Sequence, residues 1–413
     1  MKKSLIALAV GAAFAAPAAF ADVTLSGAIN VGPAIIHQGN GSTNASNSIA
    51  ATGGTAQSGA TRTGINNNYS NITIGSMEDL GGGLKLDFAF QLVAPIGSNP
   101  KNPAASGTNT DTVNRNSHIG LVSDSWGGVW WGNNEMLYER YLYSVDPLDG
   151  AAGLGGNLQM MGSPGYGSVF DSFQNNNPGL GGSAEFYRRT DQSIWYDSPN
   201  WNGFTFGAYT SLNAAKTNTP AGSINPQVYG IGAKYVSPAI PFQLWAAYEH
   251  HKDLFGLNVI TGVAAGTNSS DHGIQVGGGY TLGDIFFYVT FEQLKYNDDG
   301  LAAGVKAYRR NAEDIGVKWN LPTGYVGAQV MLAQNGNCDL VSGAACDAAS
   351  SGGKIFSVGY YHTLSKQTQA YIMADYNKND SLQYFGVAGG TGGPATNLGS
   401  NIWGATVGLK HSF

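Results

Sequence analysis

From residue 23 onward the chain alternates apolar and polar residues with a period of two. Leu84, Leu86, Phe88, Phe90 and Leu92 are separated by Lys85, Asp87, Ala89 and Gln91. Val23, Leu25, Ile29 and Val31 alternate in the same way with Thr24, Ser26, Ala28 and Asn30, and Ile285, Phe287, Val289 and Phe291 repeat the pattern. Successive side chains on a strand point to opposite faces, so this period gathers the apolar side chains on one face of a sheet. Charge decides what that face meets. Only 12% of residues are charged, against about 25% in soluble domains, while 11% are aromatic. A soluble sandwich would bury the apolar face and carry more charge on the other. Strands with lipid on one side and water on the other need no such charge.

Short turns punctuate the alternation at Asp79–Gly82, Asp124–Gly127, Ser198–Asn202, Ser237–Ile240, Thr281–Asp284, Leu321–Thr323 and Leu364–Lys366. Between successive hairpins lie long stretches rich in Asn, Ser, Gly and Ala, near 33–68, 95–114, 134–190, 213–227, 251–271, 297–308, 335–353 and 379–400. Short turns on one side and long loops on the other are the asymmetry of an outer-membrane barrel. The segments between them number about 16, each of roughly 10 residues, long enough to cross when tilted. The expected fold is all-β, a 16-stranded antiparallel transmembrane β-barrel, with residues 22–413 as one barrel. Aromatics beside turns and loops (Tyr69, Trp126, Trp201, Phe204, Tyr235, Phe242, Tyr325 and Phe413) are expected to form girdles at the two lipid–water interfaces.

Residues 1–21 read as a signal peptide: Lys2 and Lys3, an apolar run Leu5–Ala16, and Ala19-Phe20-Ala21 before Asp22. Export to the outer membrane of a bacterium is the expected route. It places Cys338 and Cys346, close together in a polar Gly-rich stretch, in an oxidising compartment where they are expected to form a disulfide. The net charge of −6 excludes a nucleic-acid binder, which would show a basic stripe. There is no G-x-S-x-G and no H-E-x-x-H, so no catalytic residues are expected and the chain is not read as an enzyme. His250, His251 and His272 flank one external loop, but neighbours on a strand face opposite ways, and no metal or cofactor is expected. At the C-terminus, Trp403, Ala405, Val407, Leu409, His411 and Phe413 share one face of a strand that ends on an aromatic. It resembles the closing strand read by the barrel-assembly machinery, with Phe413 as the mark.

Several segments together resemble the general porin family of β-proteobacterial outer membranes. Ala21-Asp-Val-Thr-Leu-Ser-Gly27 resembles its opening strand, and Met77-Glu-Asp-Leu-Gly-Gly-Gly-Leu-Lys85 its first periplasmic turn. Ser193-Ile-Trp-Tyr-Asp-Ser-Pro-Asn-Trp-Asn-Gly-Phe-Thr-Phe-Gly207 resembles the turn after the third loop. Leu364-Ser-Lys-Gln-Thr368 and Gly408-Leu-Lys-His-Ser-Phe413 resemble the last turn and strand. The resemblance implies a homotrimer of 16-stranded barrels that pass small hydrophilic solutes by diffusion, each with its third loop folded into the pore. Outer-membrane lipids, lipopolysaccharide and the assembly machinery are the other partners it implies.

By the same resemblance the constriction loop is Asn134–Thr190, holding Glu135, Glu139, Asp146, Asp149 and Asp171 together with Arg140, Arg188 and Arg189. Such a loop facing a basic wall would set a transverse field. The chain departs from the family where many members carry Arg or Lys, having Asn71, Gly75, Asn133 and Trp195 instead. Lys85, Arg115 and Arg310 are the candidate substitutes; alternation turns Lys85, Asp87 and Arg310 inward and puts Arg115 in the lipid-facing register. The weakened wall predicts a weakly selective or cation-preferring pore. Trp130, Trp195 and Trp245 also turn toward the lumen, with Tyr138, Tyr141, Tyr143, Tyr166, Phe170 and Phe173 in the third loop. That keeps a sugar-selective channel as an alternative, beside a non-conducting adhesin or structural barrel.

Overall fold

The computed structural model describes residues 23–42, 58–68, 70–94, 96, 115–148, 154–165, 184–219, 222–261, 268–386 and 398–413. Residues 1–21, expected to be a signal peptide, lie outside them. Sixteen antiparallel strands close into a barrel. In chain order these are β1 (Thr24–Gln38), β2 (two segments, Ala60–Asn67 and Asn71–Gly81), β3 (Leu84–Val93), β4 (Ser117–Ser123), β5 (Gly127–Glu135), β6 (Arg189–Asp197), β7 (Phe204–Ser211) and β8 (Gln227–Val236). They continue as β9 (Phe242–Lys252), β10 (Ser270–Leu282), β11 (Ile285–Asn297), β12 (Val305–Leu321), β13 (Gly324–Ala333), β14 (Gly353–Thr363), β15 (Thr368–Asn379) and β16 (Ile402–Ser412). Both segments of β2 pair with β1, so they act as one barrel strand with a break at residues 68–70. The break keeps its hydrogen bonds: the Asn68 N–H donates to Asn30 O and the Ala94 N–H to Ser70 O, each at 2.8 Å.

Each strand pairs with the next, and β1 pairs with β16 from Ala28↔Ser412 to Gln38↔Ile402. This seam removes the edges that an open sheet would present to lipid. Gly27 and Phe413 lock its lower end by exchanging backbone hydrogen bonds of 3.0 and 3.1 Å. All seven expected short turns join β2/β3, β4/β5, β6/β7, β8/β9, β10/β11, β12/β13 and β14/β15. Alternation holds across the wall: Phe287, Val289 and Phe291 face outward, while Tyr288, Thr290 and Glu292 between them are buried inside.

Three sequence expectations are corrected by the backbone. The first loop spans 39–59 rather than 33–68, because β1 runs on to Gln38 and β2 starts at Ala60. Ile35 faces lipid and Ile36 packs inward, two adjacent apolar residues that mask the alternation. The third loop spans 136–188 rather than 134–190. Asn134↔Thr190 and Glu135↔Arg189 are still laddered, beyond a bulge at Gly132/Asn134 that breaks the period. Tyr325 is not in a girdle: it is buried in the lumen, stacked on Tyr361 at 4.5 Å and covered by Lys318. Trp126, Trp201, Phe204 and Phe413 are exposed at strand ends as a girdle requires; Tyr69 lies outside the described residues.

Cys338 and Cys346 are joined. A short strand Asn337–Leu340 adds to β12 at Val305–Arg309, so this external loop continues the wall above the barrel. Reduction is expected to leave the barrel folded but to loosen this loop by about 2–3 kcal/mol. Limited proteolysis checks it: cleavage within 334–352 should appear only after reduction, with the barrel core intact.

Candidate pore constriction

The third loop enters the lumen rather than extending into solvent. Its helix α1 (Leu137–Tyr143) buries Leu137, Tyr138, Tyr141 and Leu142, and a single 3₁₀ turn, Asn157–Gln159, follows. Where the loop meets the wall, the wall carries glycine. A Cβ on Gly232 of β8 would come within 2.8 Å of the Tyr141 ring, and one on Gly359 of β14 within 2.9 Å of Leu148. On Gly327 of β13 it would collide with the Pro147 carbonyl oxygen, and on Gly404 of β16 with Leu154. The small positions form a track that seats the loop.

Polar side chains from the wall then fasten it. Arg310 of β12 donates to Met160 O at 2.7 Å and from Nε to Ser163 O at 2.9 Å, and pairs with Glu292 of β11 at 3.0 Å. The other oxygen of Glu292 accepts from the Tyr138 hydroxyl at 2.7 Å and the Gly162 N–H at 2.5 Å. Tyr361 donates to Leu148 O at 2.9 Å, Gln329 to Gly155 O at 2.6 Å, and Gln275 to Tyr138 O at 2.6 Å. Buried polar groups need such partners, so the course of the loop is specified by hydrogen bonds as well as by packing.

At the root of the loop four charges meet. Arg189 pairs with Glu135 and, at 3.2 Å, with Glu139, while Arg115 lies 3.6 Å from Glu135. Asn116 Oδ1 accepts from Arg189 Nε at 3.0 Å. Burial pushes the Glu139 carboxyl from its ordinary 4.5 up to about 7, against the pull of Arg189 and helped by repulsion from Glu135. Burial likewise pulls the Arg188 guanidinium down, opposed by Glu249 and Glu185.

The raised folded value means that the seated loop binds a proton that the unfolded chain releases. The resulting stabilisation is full below about 4.5 and is lost as pH rises through about 7. The unfolding temperature of the reconstituted protein should therefore fall between pH 5 and pH 8, and Glu139→Gln should make that fall shallower; an unchanged slope in the variant would refute the assignment.

Asp146 turns into the loop itself, accepting the N–H groups of Leu148 at 2.8 Å and Asn157 at 2.9 Å. Arg140 reaches the lower end of β6, where it pairs with Asp197 at 2.8 Å. Asp149, Asp171, Tyr166, Phe170 and Phe173 lie outside the described residues. On the wall, Asp87 accepts from Trp130 Nε1 at 2.8 Å and lies 3.3 Å from His118, and Lys85 stands 3.9 Å from Asp124 at the periplasmic mouth. Arg115 is not lipid-facing: it precedes β4, which starts at Ser117, and its side chain is buried beside Gln91 and Glu135. Counting alternation past the strand end gave the wrong face.

Trp195 and Trp245 are inward but only 4% and 2% exposed, with Trp130 stacked on Trp195 at 6.0 Å. They pack the wall rather than form an open aromatic slide. His251 turns inward onto Glu249 while His250 and His272 stack on the outer face at 4.6 Å, so the three histidines do not converge. No metal-binding group of His, Cys, Asp or Glu occurs among the described residues.

Sequence reasoning missed Arg62 and Glu292. Arg62 sits directly opposite buried, inward-facing Ile36, so it faces the lumen near the external entrance; it was hidden inside the overlong first loop. Glu292 follows the alternation Phe287, Val289, Phe291, and that signal alone would have placed it inside.

The sequence profile of Gram-negative porins matches residues 6–382. The chain is 28% identical over its whole length, and over the whole length of the relative, to outer membrane porin protein 32 of Delftia acidovorans. Among solved structures, the anion-selective porin from Comamonas acidovorans superposes with a TM-score of 0.65 at 22% identity, covering 95% of this chain and 100% of that one. A trimer form of OmpT from Vibrio cholerae gives 0.56 at 12% identity, covering 95% and 99%. With a closed barrel, an inward third loop and a family match over most of its length, the chain belongs to the Gram-negative porin family: an outer-membrane channel protein, not an enzyme.

Proposed function

We propose that the protein is a homotrimeric, water-filled channel through which ions and small hydrophilic solutes cross by passive diffusion, with a weak preference for anions. The observation that carries this reading is the distribution of charge around the seated loop. Among the described residues, Glu135 and Glu139 at the loop root are engaged by arginines, Asp146 by backbone N–H groups, and the wall acid Glu292 by Arg310 and Tyr138. Inward-facing bases lie at both ends of the lumen, Arg62 near the external entrance and Lys85, Lys234, Lys318 and Lys410 toward the periplasmic turns. Charge presented to a pore sets its ion preference. This replaces the cation preference expected from Asn71, Gly75, Asn133 and Trp195; the solved Comamonas porin is itself described as anion-selective.

The zero-current potential of the reconstituted protein across a KCl gradient tests the reading. An anion-directed potential is expected, moving toward zero in Arg62→Gln. A cation-directed potential would overturn the selectivity, and absence of conductance would overturn the channel. Unheated gel migration at three times the monomer mass is expected for the homotrimer.

A further inference from the structure

One buried acid beneath the third loop lacks the counter-charge that Arg310 gives to Glu292. Asp314 of β12 points inward, is fully buried, and forms no ion pair with a described residue. The charges that act on it most strongly belong to two more acids, Asp146 of the third loop and Glu292. Glu292 is already answered by Arg310 at 3.0 Å, and Asp146 is not a base. A buried carboxylate among like charges is costly unless a proton or a cation joins it.

The hydrogen-bond donors around Asp314 are too few, which is a separate observation. The Tyr288 hydroxyl of β11 lies 3.0 Å from Asp314 Oδ2 and 2.8 Å from Gln329 Oε1 of β13. Gln329 donates from its own Nε2 to Gly155 O at 2.6 Å, so its oxygen is the atom turned to Tyr288. One hydroxyl proton cannot serve two acceptors. Asp314 Oδ1 has no hydrogen-bond partner among the described residues. Thr290 stands directly opposite Asp314 across the β11–β12 ladder and is as deeply buried, and its Oγ1 is equally without a partner among them. The Asn157 amide lies against the same carboxyl; its Nδ2 donates to Leu142 O at 2.9 Å, and its buried Oδ1 is the third such oxygen. Buried oxygens that outnumber the protons available to them are what a hard cation coordinates.

We propose that the carboxylates of Asp314 and Asp146, with Asn157 Oδ1 and Thr290 Oγ1, form a site for one calcium ion that ties the third loop to β11 and β12. With the ion on Asp314, the Tyr288 proton is left to Gln329 alone. Asp146 accepts one N–H on each oxygen, from Leu148 and Asn157, and a carboxylate oxygen has a second lone pair to give. The donor set is two carboxylates and neutral oxygens, with no histidine or cysteine, which is the preference of a hard cation. The ligands come from a loop and two strands in a buried space, where magnesium would have to keep several of its waters; calcium accepts six to eight oxygens in flexible geometry. Arg310 fastens the returning half of the loop at Met160 and Ser163, and the ion fastens the part that precedes it, at Asp146 and Asn157. Nothing in this depends on which ions the pore prefers.

The test uses the full barrel refolded in neutral detergent without lipopolysaccharide, stripped with EGTA and titrated with calcium at constant ionic strength. The unfolding temperature of wild type is expected to rise saturably with calcium, to respond far less to magnesium, and to fall back when EGTA is added. Calorimetric titration should count one ion per protomer. Asp314→Asn should raise the calcium midpoint by about tenfold or more, because the site loses ligand charge. In EGTA the same variant should melt above stripped wild type, since an unanswered buried charge is gone; a variant that had only lost structure would melt below it. Thr290→Val keeps both carboxylates and should shift the midpoint by about threefold, which preserves the test if Asp314→Asn folds poorly. Asp299→Asn, exposed on an external loop, should behave as wild type. Stripped wild type should still conduct, so failure of this inference and failure of the channel reading are separable. No saturable response in wild type, or an undiminished response in Asp314→Asn, overturns the proposal. An unfolding temperature that follows pH but not calcium overturns it in favour of a proton shared between Asp146 and Asp314.

Discussion

Arg310→Ala is expected to destabilise the barrel by about 3–5 kcal/mol and to make the channel noisy, because it removes one partner of a buried ion pair and leaves the other charged. Glu292 is fully buried, and without Arg310 it keeps only the Tyr138 hydroxyl and the Gly162 N–H. The same substitution removes the Arg310 donor from the carbonyls of Met160 and Ser163, so the returning half of the third loop loses its fastening to β12. Two measurements check it. Thermal unfolding in detergent should shift downward, and single-channel records should show fluctuating sub-levels where wild type is steady. The double variant Arg310→Ala/Glu292→Gln should recover most of the stability, since removing both charges leaves no orphan. It should not recover the quiet channel, because the tie from β12 to the loop carbonyls is still missing. A lone Arg310→Ala that unfolds like wild type and conducts quietly would show that the pair does not hold the loop.

Gly327→Val should lower conductance by pushing the loop off the wall toward the pore axis. A Cβ at this position meets backbone, the Pro147 carbonyl, which cannot rotate out of the way as a side-chain tip could. Overpacking of this kind costs about 1–3 kcal/mol. The loop moves instead of the wall, because Gly327 is laddered on both sides, to Lys318 of β12 and Gly359 of β14. Gly278→Ala is the control: it faces lipid on β10 and a Cβ there meets only Leu244 and Gln243 at 3.1 and 3.6 Å. Conductance should fall in the first variant and stay unchanged in the second. A wider pore in Gly327→Val would mean that the loop is displaced along the wall rather than across the lumen.

The barrel was legible in the sequence because lipid enforces the outer face. Outward positions such as Phe287, Val289 and Phe291 must be apolar at every turn of the pleat, and turns such as Gly82-Gly83 announce themselves by composition. The inner face is under no such rule. Beneath the third loop it carries Trp245, Tyr308, Met331, Ile355 and Met373, apolar residues inside a water-filled barrel, placed there to pack a loop that sequence alone does not route. Ile36, packed near Leu154, hid the top of β1 for this reason, and with it the inward register of Arg62. The partners of the candidate constriction residues were illegible for a related cause. Arg310 meets Ser163 and Met160 across nearly 150 residues of chain, and no local period encodes such a meeting. Arg115 failed differently, by extrapolating a strand period through Asn116, which is not in a strand.

The seam between β1 and β16 has a consequence for the order of the chain itself. Gly27 and Phe413 exchange hydrogen bonds at the foot of the barrel, so the first and last strands are neighbours in space as close as any hairpin. A circular permutation that bridges this gap with a short linker and reopens the chain at Gly82-Gly83, where an added Cβ would meet no neighbour within 4 Å, preserves every strand pair. What it changes is which strand emerges last: β2, with Gly81 at its foot, in place of the strand ending at Phe413. Such a chain should refold in detergent to the same barrel yet fail to insert in cells if the terminal aromatic is the address, which separates what the ladder needs in order to form from what the cell needs in order to place it.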